Sequence, residues 1–348
     1  MTFLPISDYG LIGNSHGAAL VGKNGSIDWC CMPRFDSPSI FAAVLDDKLG
    51  GRFTIAPRDQ WSSSQRYISD TNVLETRFET VDGIAIVTDC MPLFESDTDP
   101  SGLTIRHQIV RMVRCASGES TIEVIYQPMP DYGRTIPSVT NTNDVLVTEW
   151  NDQRLDLLTP VDLDVTDNGA LGVLHLVEGD EVTFVLGYSD SSLPKPPGED
   201  PGNLVMNTAF FDQAFAYDIQ CEDRWHEPVV RSALALLAMT YFPSGGIVAS
   251  PTTSLPGGMG GFQNRDYRYT WIRNASFAVD ALNSLGEATV ARWIFEWLCR
   301  ICQTTGEEFQ MSYRVDGTPD THEEELTHLT GYRNSRPVRI GNRPGRFP

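Results

Sequence analysis

SSLPKPPGEDPGN, residues 191–203, separates two different kinds of sequence. Its prolines and glycines break regular structure, so the segment reads as a linker. Upstream, short β-prone runs alternate apolar and polar residues: GRFTIAP (51–57), TRFETVDGIAIVTD (76–89), LTIRHQIVRMVRC (103–115), STIEVIYQP (120–128), NDVLVTEW (143–150) and EVTFVLGY (181–188). Asp82-Gly83 supplies a hairpin turn between two of them. Successive strands without intervening helices predict antiparallel sheets packed as a sandwich. Downstream the apolar period changes to that of a helix. Helices are predicted over 208–225, 228–241, 271–285 and 287–303, the second with Pro228 in its first turn. Strands followed by helices, without alternation, describe a multidomain β-then-α protein rather than a parallel βαβ fold. The domains predicted are 1–195, a β-sandwich; 196–227, a linker with a helix; and 228–348, a helical domain.

Composition sets outer bounds. A chain of 348 residues suggests about two domains, and 41% hydrophobic residues suffice for a buried core. The formal net charge of -20 argues against a nucleic-acid partner and for a neutral ligand. The seven cysteines are odd in number and irregular in spacing, which predicts reduced, mostly buried thiols. Cys299 and Cys302 form a CxxC inside a predicted amphipathic helix, where a core role outweighs a zinc or redox role. The start, MTFLPISDYG, has neither a basic n-region nor an apolar h-region, and no run approaches a membrane span. A cytoplasmic protein without metal or cofactor, and without a membrane partner, is the expectation.

The chemistry concentrates in NRDYRYTWIRNASF, residues 264–277. Asp266, Arg268 and Arg273 are interleaved with Tyr267, Tyr269 and Trp271. Aromatic faces cover the apolar C–H side of a sugar ring, and arginines and acids in fixed forks hold its hydroxyls. The stretch runs directly into a helical pattern at Ala275, Ala278, Val279, Leu282 and Leu285. It therefore reads as the lip of a helix facing a pocket. Trp293 and Trp297, four residues apart, read as core. His16 and His107 read as structural.

Several blocks together resemble glycoside hydrolase family 15, in its bacterial glucoamylase and trehalase-like branch. They are ISDYGLIGNSHGAALVGKNGSIDWCCMPRFDSPSIFAAVL (6–45), TNVLETRFET (71–80), VVRSALALLAMTYFPSGGIVASPTTSLP (229–256), NRDYRYTWIRNASF, and GYRNSRPVRIGN (331–342). The resemblance implies an N-terminal antiparallel β-sandwich followed by the first part of a six-fold α/α barrel. It implies inverting hydrolysis of α-glucosidic bonds by two carboxyl groups about 6.5–9.5 Å apart. The substrate implied is an α-glucoside or oligosaccharide. The substrate-binding set it implies is Tyr267, Trp271, Arg273, Asn274, Asp266 and Arg336.

The chain departs from the family in three places. Arg265 stands where the family has Trp, and Asn274 where it has the Asp of an Arg-Asp pair that grips glucose. Asn274 either contacts sugar as a neutral group or caps the helix start. Third, the family's general acid and base lie beyond residue 348, so no residue here is assigned to catalysis. The expectation is a chain truncated within the catalytic domain, by a frameshift or a shortened reading frame, and inactive alone. The tail NRPGRFP (342–348) agrees with that expectation. A partial barrel would expose Leu234, Leu237, Ile294 and Leu298 and promote self-association through that face. Glu323, Glu324 and Glu325 read as a solvated acidic run. Arg339 either reaches the pocket with Arg336, caps a helix or pairs with an acid. Trp29 with Asp28, and Arg34 with Asp36, lie either at the catalytic mouth or at a sandwich corner. The alternative function is a degenerate, non-catalytic sugar-binding or interaction fragment. A β-sandwich interaction protein with a helical appendage is a third.

Overall fold

The computed structural model describes residues 3–95, 103–142, 145–190, 200–305, 310–319 and 322–342. Most of the predicted linker and nearly all of the tail lie outside the described residues. Two antiparallel sheets share one strand, Gln108–Gln127, which is 20 residues long. Its first part pairs with Gly83–Cys90 and Glu181–Asp190. Its second part pairs with Arg52–Pro57 and Gly169–Val177. The sequence shows two runs here, 103–115 and 120–128, because the crossing between sheets interrupts the alternation. A bulge lies between Cys115 and Ser117, followed by Gly118 at φ 67°. A Cβ at Gly118 would stand 2.1 Å from the Asp82 carbonyl oxygen, so only glycine lets the strand pass the hairpin there.

One sheet is completed by Tyr9–Gly13, Ala18–Gly22 and Ser26–Cys31; the other by Ser62–Tyr67, Leu74–Glu79, Gln153–Leu158, Val145–Trp150 and Ser138–Thr142. Inward residues of both sheets, among them Phe41, Phe53, Phe78, Tyr126 and Phe184, form one core. Arg111 lies inside it, fully buried and paired to Asp89 at 2.6 Å. Its guanidinium also donates to the carbonyls of Phe53 and Gly25, which satisfies a charge that would otherwise be costly there.

Four longer helices follow: Pro201–Tyr217, His226–Met239, Ile272–Ser284 and Ala288–Thr305. The first begins at Pro201, seven residues before its predicted start, because Asp200 caps it by accepting from the amides of Gly202 and Asn203. Leu234, Leu237 and Ile294 are at most 1% exposed, and Leu298 packs partly buried against the same cluster. They fill the space between the helices, so the expectation that they are exposed is wrong. Trp297 is buried and donates to the Val315 carbonyl at 3.1 Å; Trp293 packs on Phe242. All seven cysteines are free, but Cys299 is half-buried and Cys302 exposed. The CxxC therefore lies on the outer flank of its helix, and the core role predicted for it fails. No helix of the described residues is long and apolar enough to cross a membrane.

The helical part is bolted to the sandwich by polar contacts. Asp212 accepts from Asn72 N at 2.7 Å and from its side-chain amide at 3.2 Å. Burial pushes the Asp212 carboxyl up to about 6. Arg231 lies 4.0 Å from the Tyr67 ring centroid and donates to the Thr71 carbonyl. Ser15 Oγ donates to the Leu237 carbonyl at 2.8 Å. His16 packs on His107 at 4.7 Å and on Tyr241 at 4.5 Å. Its structural role agrees with the sequence reading.

Candidate active-site strand

Residues 266–271 form a bent ledge at the seam between sandwich and helices, bridged to Thr253 at Asp266 and ending in the short strand Thr270–Trp271. Burial sorts its side chains: Asp266, Arg268, Tyr269 and Thr270 lie inside, while Tyr267 and Trp271 reach the surface. Asp266 and Arg268, two residues apart, point inward and are 0% and 1% exposed. Arg268 Nη2 lies 2.6 Å from Asp266 Oδ2, and its Nε 2.9 Å from Oδ1. The guanidinium then crosses to the sandwich. It donates to the Ser37 carbonyl at 2.8 Å and sits 5.8 Å from the Trp29 ring and 5.3 Å from the Tyr132 ring. Burial opposes its charge, but the adjoining Asp266 carboxylate wins, so the Arg268 guanidinium holds its proton far more tightly than an ordinary arginine does.

Asp266 also fixes the later loop. Its Oδ2 accepts from Gly341 N at 3.0 Å, and its carbonyl from the Asn342 side chain at 2.9 Å. Asn264 donates to the carbonyls of Ser335 and Pro337. The blocks 264–277 and 331–342, separated in sequence, are thus joined in space. With both carboxylate oxygens committed, Asp266 works as a structural tie.

Tyr267 faces outward at 37% exposure, and Trp271 is half-buried on the same ledge. Their ring centroids are 5.7 Å apart at an interplanar angle of 36°. Thr270 and Trp271 pair with Tyr313 and Ser312, which pins the ledge from its other side. Trp271 is the residue before the helix Ile272–Ser284, and no side chain caps that helix. Arg273 and Asn274 are exposed on its first turn, so Asn274 is not the cap that the sequence left open. Arg336 is exposed in the loop before Val338. The structure therefore gathers Tyr267 and Trp271, ties Asp266 to Arg268, and leaves Arg273, Asn274 and Arg336 open to solvent.

The remaining candidates resolve individually. Trp29 is fully buried and donates to the Pro251 carbonyl at 2.6 Å. Arg34 bridges Asp36 at 3.0 Å and Asp316 at 2.9 Å, and Arg314 reaches Asp36 at 3.0 Å. Burial pushes the Asp36 carboxyl up despite these cations. Asp28 accepts from Tyr9 OH at 2.7 Å and Ser26 Oγ at 2.5 Å. Arg339 lies 3.9 Å from Glu323, and Arg134 2.7 Å from Glu324. The acidic run is therefore partly ion-paired and contributes a short strand, Glu324–Glu325, rather than a fully solvated face. Sequence reasoning missed the inward role of Arg268. The i, i+2 spacing from Asp266 was the available signal, since residues two apart share a face wherever the chain runs extended.

Comparisons with known proteins agree with this architecture. The family described as Trehalase-like, N-terminal matches residues 2–192, and Glycosyl hydrolases family 15 matches residues 224–347. A trehalase of Mycolicibacterium smegmatis is 33% identical over 368 residues, covering 98% of this chain and 54% of the relative. A trehalase of Mycobacterium tuberculosis is 31% identical, covering 98% and 53%. Trehalase 1 of Sulfolobus acidocaldarius is 34% identical, covering 97% and 56%. The chain thus spans about half the length of the curated relatives it matches. Among solved structures, a putative kojibiose phosphorylase from human microbiome aligns with a TM-score of 0.52 at 9% identity, covering 88% of this chain and 49% of that one. That likeness is one of fold alone. With more than half of its length matched across the sandwich, this chain belongs to the Trehalase-like, N-terminal family, and its helical part is similar to glycosyl hydrolases family 15.

Proposed function

We propose that this chain builds the sugar-holding side of an α-glucoside hydrolase of trehalase type, and that its ledge 266–271 receives a glucose ring. One observation carries the reading. Asp266 and Arg268 are locked inward, so the outward residues Tyr267 and Trp271 form a rigid aromatic shelf immediately before the Arg273–Asn274 turn. A shelf fixed before binding loses little freedom when a ring docks. Arg273 supplies a guanidinium fork for vicinal hydroxyls, and Asn274 supplies a neutral acceptor and donor. Arg336 adds a further donor from the loop that Asp266 holds in place. The helices are the opening part of an α/α barrel, and the trehalase relatives favour trehalose over maltose or starch.

Inverting hydrolysis needs one carboxylic acid to protonate the leaving oxygen and one carboxylate to activate water. The carboxyls that burial pushes upward, Asp28, Asp36 and Asp212, are each held by hydrogen bonds or arginines in the sandwich and its seams. Asp266 is committed to Arg268 and Gly341. None is placed to serve the shelf as an acid–base pair. The 348-residue chain alone is therefore expected to bind sugar without turning it over. Equilibrium dialysis with trehalose and maltose, run beside a glucose-release assay, tests this. Saturable binding without glucose release is expected. Release of glucose contradicts the carboxylate assignment, and absence of both binding and release contradicts the sugar reading.

A further inference from the structure

A cavity of about 850 Å3 opens where the turn 46–49 of the sandwich meets the loop 328–334. Neither the ledge nor its neighbouring arginines line it. Its walls combine the Phe3 ring and the Leu49 side chain with Asp47, Lys48, Arg333 and Asn334. The two sides are held together by Asp46. Its Oδ1 accepts from the amides of Lys48 and Leu49, and its Oδ2 from the amide and hydroxyl of Thr330, all at 3.0 Å. Those bonds hold the Asp46 carboxyl below its usual range although burial opposes them. Phe3 is braced edge-on by Tyr332 at 5.6 Å, whose hydroxyl donates to the Leu4 carbonyl at 2.7 Å.

Two features suggest that these walls serve a ligand. Arg333 and Asn334 occupy consecutive left-handed conformations, with φ of 49° and 62°. Non-glycine residues adopt that region at a conformational cost, and such positions concentrate at ligand sites. Arg333 lies over the Tyr332 ring and donates to the Phe3 carbonyl at 3.4 Å, while the exposed Lys48 ammonium and Asn334 amide at the cavity mouth have no protein partner among the described residues. The volume lies within the roughly 300–1,000 Å3 usual for small-molecule sites.

The lining also selects a chemical class. Asp46 and Asp47 offset Lys48 and Arg333, so the cavity carries no fixed net charge. It sits in a protein of formal charge -20, whose field repels anions at a distance. An aromatic ring and an aliphatic side chain beside unpaired donors suit a neutral ligand with both C–H faces and hydroxyls. We infer that this cavity is a second saccharide site, separate from the shelf at Tyr267 and Trp271, that holds a neutral oligosaccharide.

Hydrogen exchange of the whole chain with maltotriose, read by mass spectrometry, tests the inference. Slowed exchange is expected across 46–50 and 328–334, both in the wild type and in Trp271→Ala. The double variant K48A/N334G removes two donors, while glycine keeps the left-handed backbone; its apparent affinity at this site should fall at least about fivefold. An unchanged thermal midpoint shows that the variant is folded, and the single variant Lys48→Ala repeats the test with a milder change. Three results at this cavity would overturn the proposal, as would protection confined to 264–274. They are no protection at saturating maltotriose, equal protection in the double variant, and protection by inorganic phosphate in place of maltotriose. Protection at 264–274 alone sinks this proposal and leaves the shelf standing. Protection at 46–50 and 328–334 alone does the reverse.

Discussion

Replacing Asp266 with alanine should be the most damaging single change at the seam. The substitution removes both acceptors of the Arg268 fork, at 2.6 Å and 2.9 Å, from a guanidinium that is 1% exposed. Ser37 O and, weakly, Cys31 Sγ are the acceptors that then remain to it. Breaking a buried pair by removing one partner costs about 3–5 kcal/mol. The Arg268 and Gly341 amides, which also donate to this carboxylate, lose their acceptor, and each orphaned buried donor adds about 1 kcal/mol or more. Asp266→Ala should therefore lower stability by at least about 4 kcal/mol. Asp266→Asn, which keeps one acceptor oxygen, should cost less. The double variant D266L/R268M removes both charges together and should recover much of the loss, because buried pairs often exchange for apolar groups at little cost. Urea titration followed by tryptophan fluorescence reads all three, with Trp29 beside the guanidinium as a local reporter. A loss below about 1 kcal/mol for Asp266→Ala, or a double variant no better than the single, would refute the view that this pair ties the ledge to the sandwich.

Other consequences are open to measurement. Burial and the neighbouring His107 push His16 down to about 3, so it stays neutral when folded. Its folded value is depressed, so its contribution is complete above the unfolded value of about 6.5 and is lost as pH falls toward 3; near pH 5 the loss is about 2 kcal/mol. His16→Asn should flatten the stability profile between pH 6.5 and 4, and an unchanged slope in urea titrations across that range would contradict the assignment. Asn274→Asp should tighten trehalose binding roughly tenfold, since a charged acceptor about doubles a hydrogen bond; calorimetry showing no gain would place Asn274 outside the sugar site. Phe277 and Phe295, 69% and 55% exposed on adjacent helices, should mediate self-association. Sedimentation should then show Phe277→Glu with Phe295→Glu to be monomeric where the wild type associates; a monomeric wild type removes that role.

Much of the order of the fold was readable because period is a local property. The runs at 51–57, 76–89 and 181–188 alternate, and the helices at 226–239 and 272–284 have apolar residues at 3.6-residue spacing. What could not be read was what lay across space. Two separated runs became one strand because the chain changes sheets at Gly118. Leu234 and Ile294 looked unpartnered because the apolar cluster that receives them draws on all four helices, and residues distant in sequence meet there. The aromatic ledge was visible in residues 264–277, but the sequence did not separate the charges that tie the fold from those that face a ligand. Burial separates them: Arg268 turns inward to Trp29 and Tyr132, more than 130 positions away in sequence, while Arg273 remains outside. The cavity beside Phe3 left no local signal, since its two walls come from opposite ends of the chain.

The central claim is that Tyr267, Trp271 and Arg273 hold a glucose ring. Calorimetric titration of trehalose into the wild type, Trp271→Ala and Arg273→Ala tests it most directly. Saturable binding to the wild type is expected, weakened about tenfold or more in each variant by loss of the stacked ring or the charged fork. Equal binding by all three proteins, or none by the wild type, would contradict it.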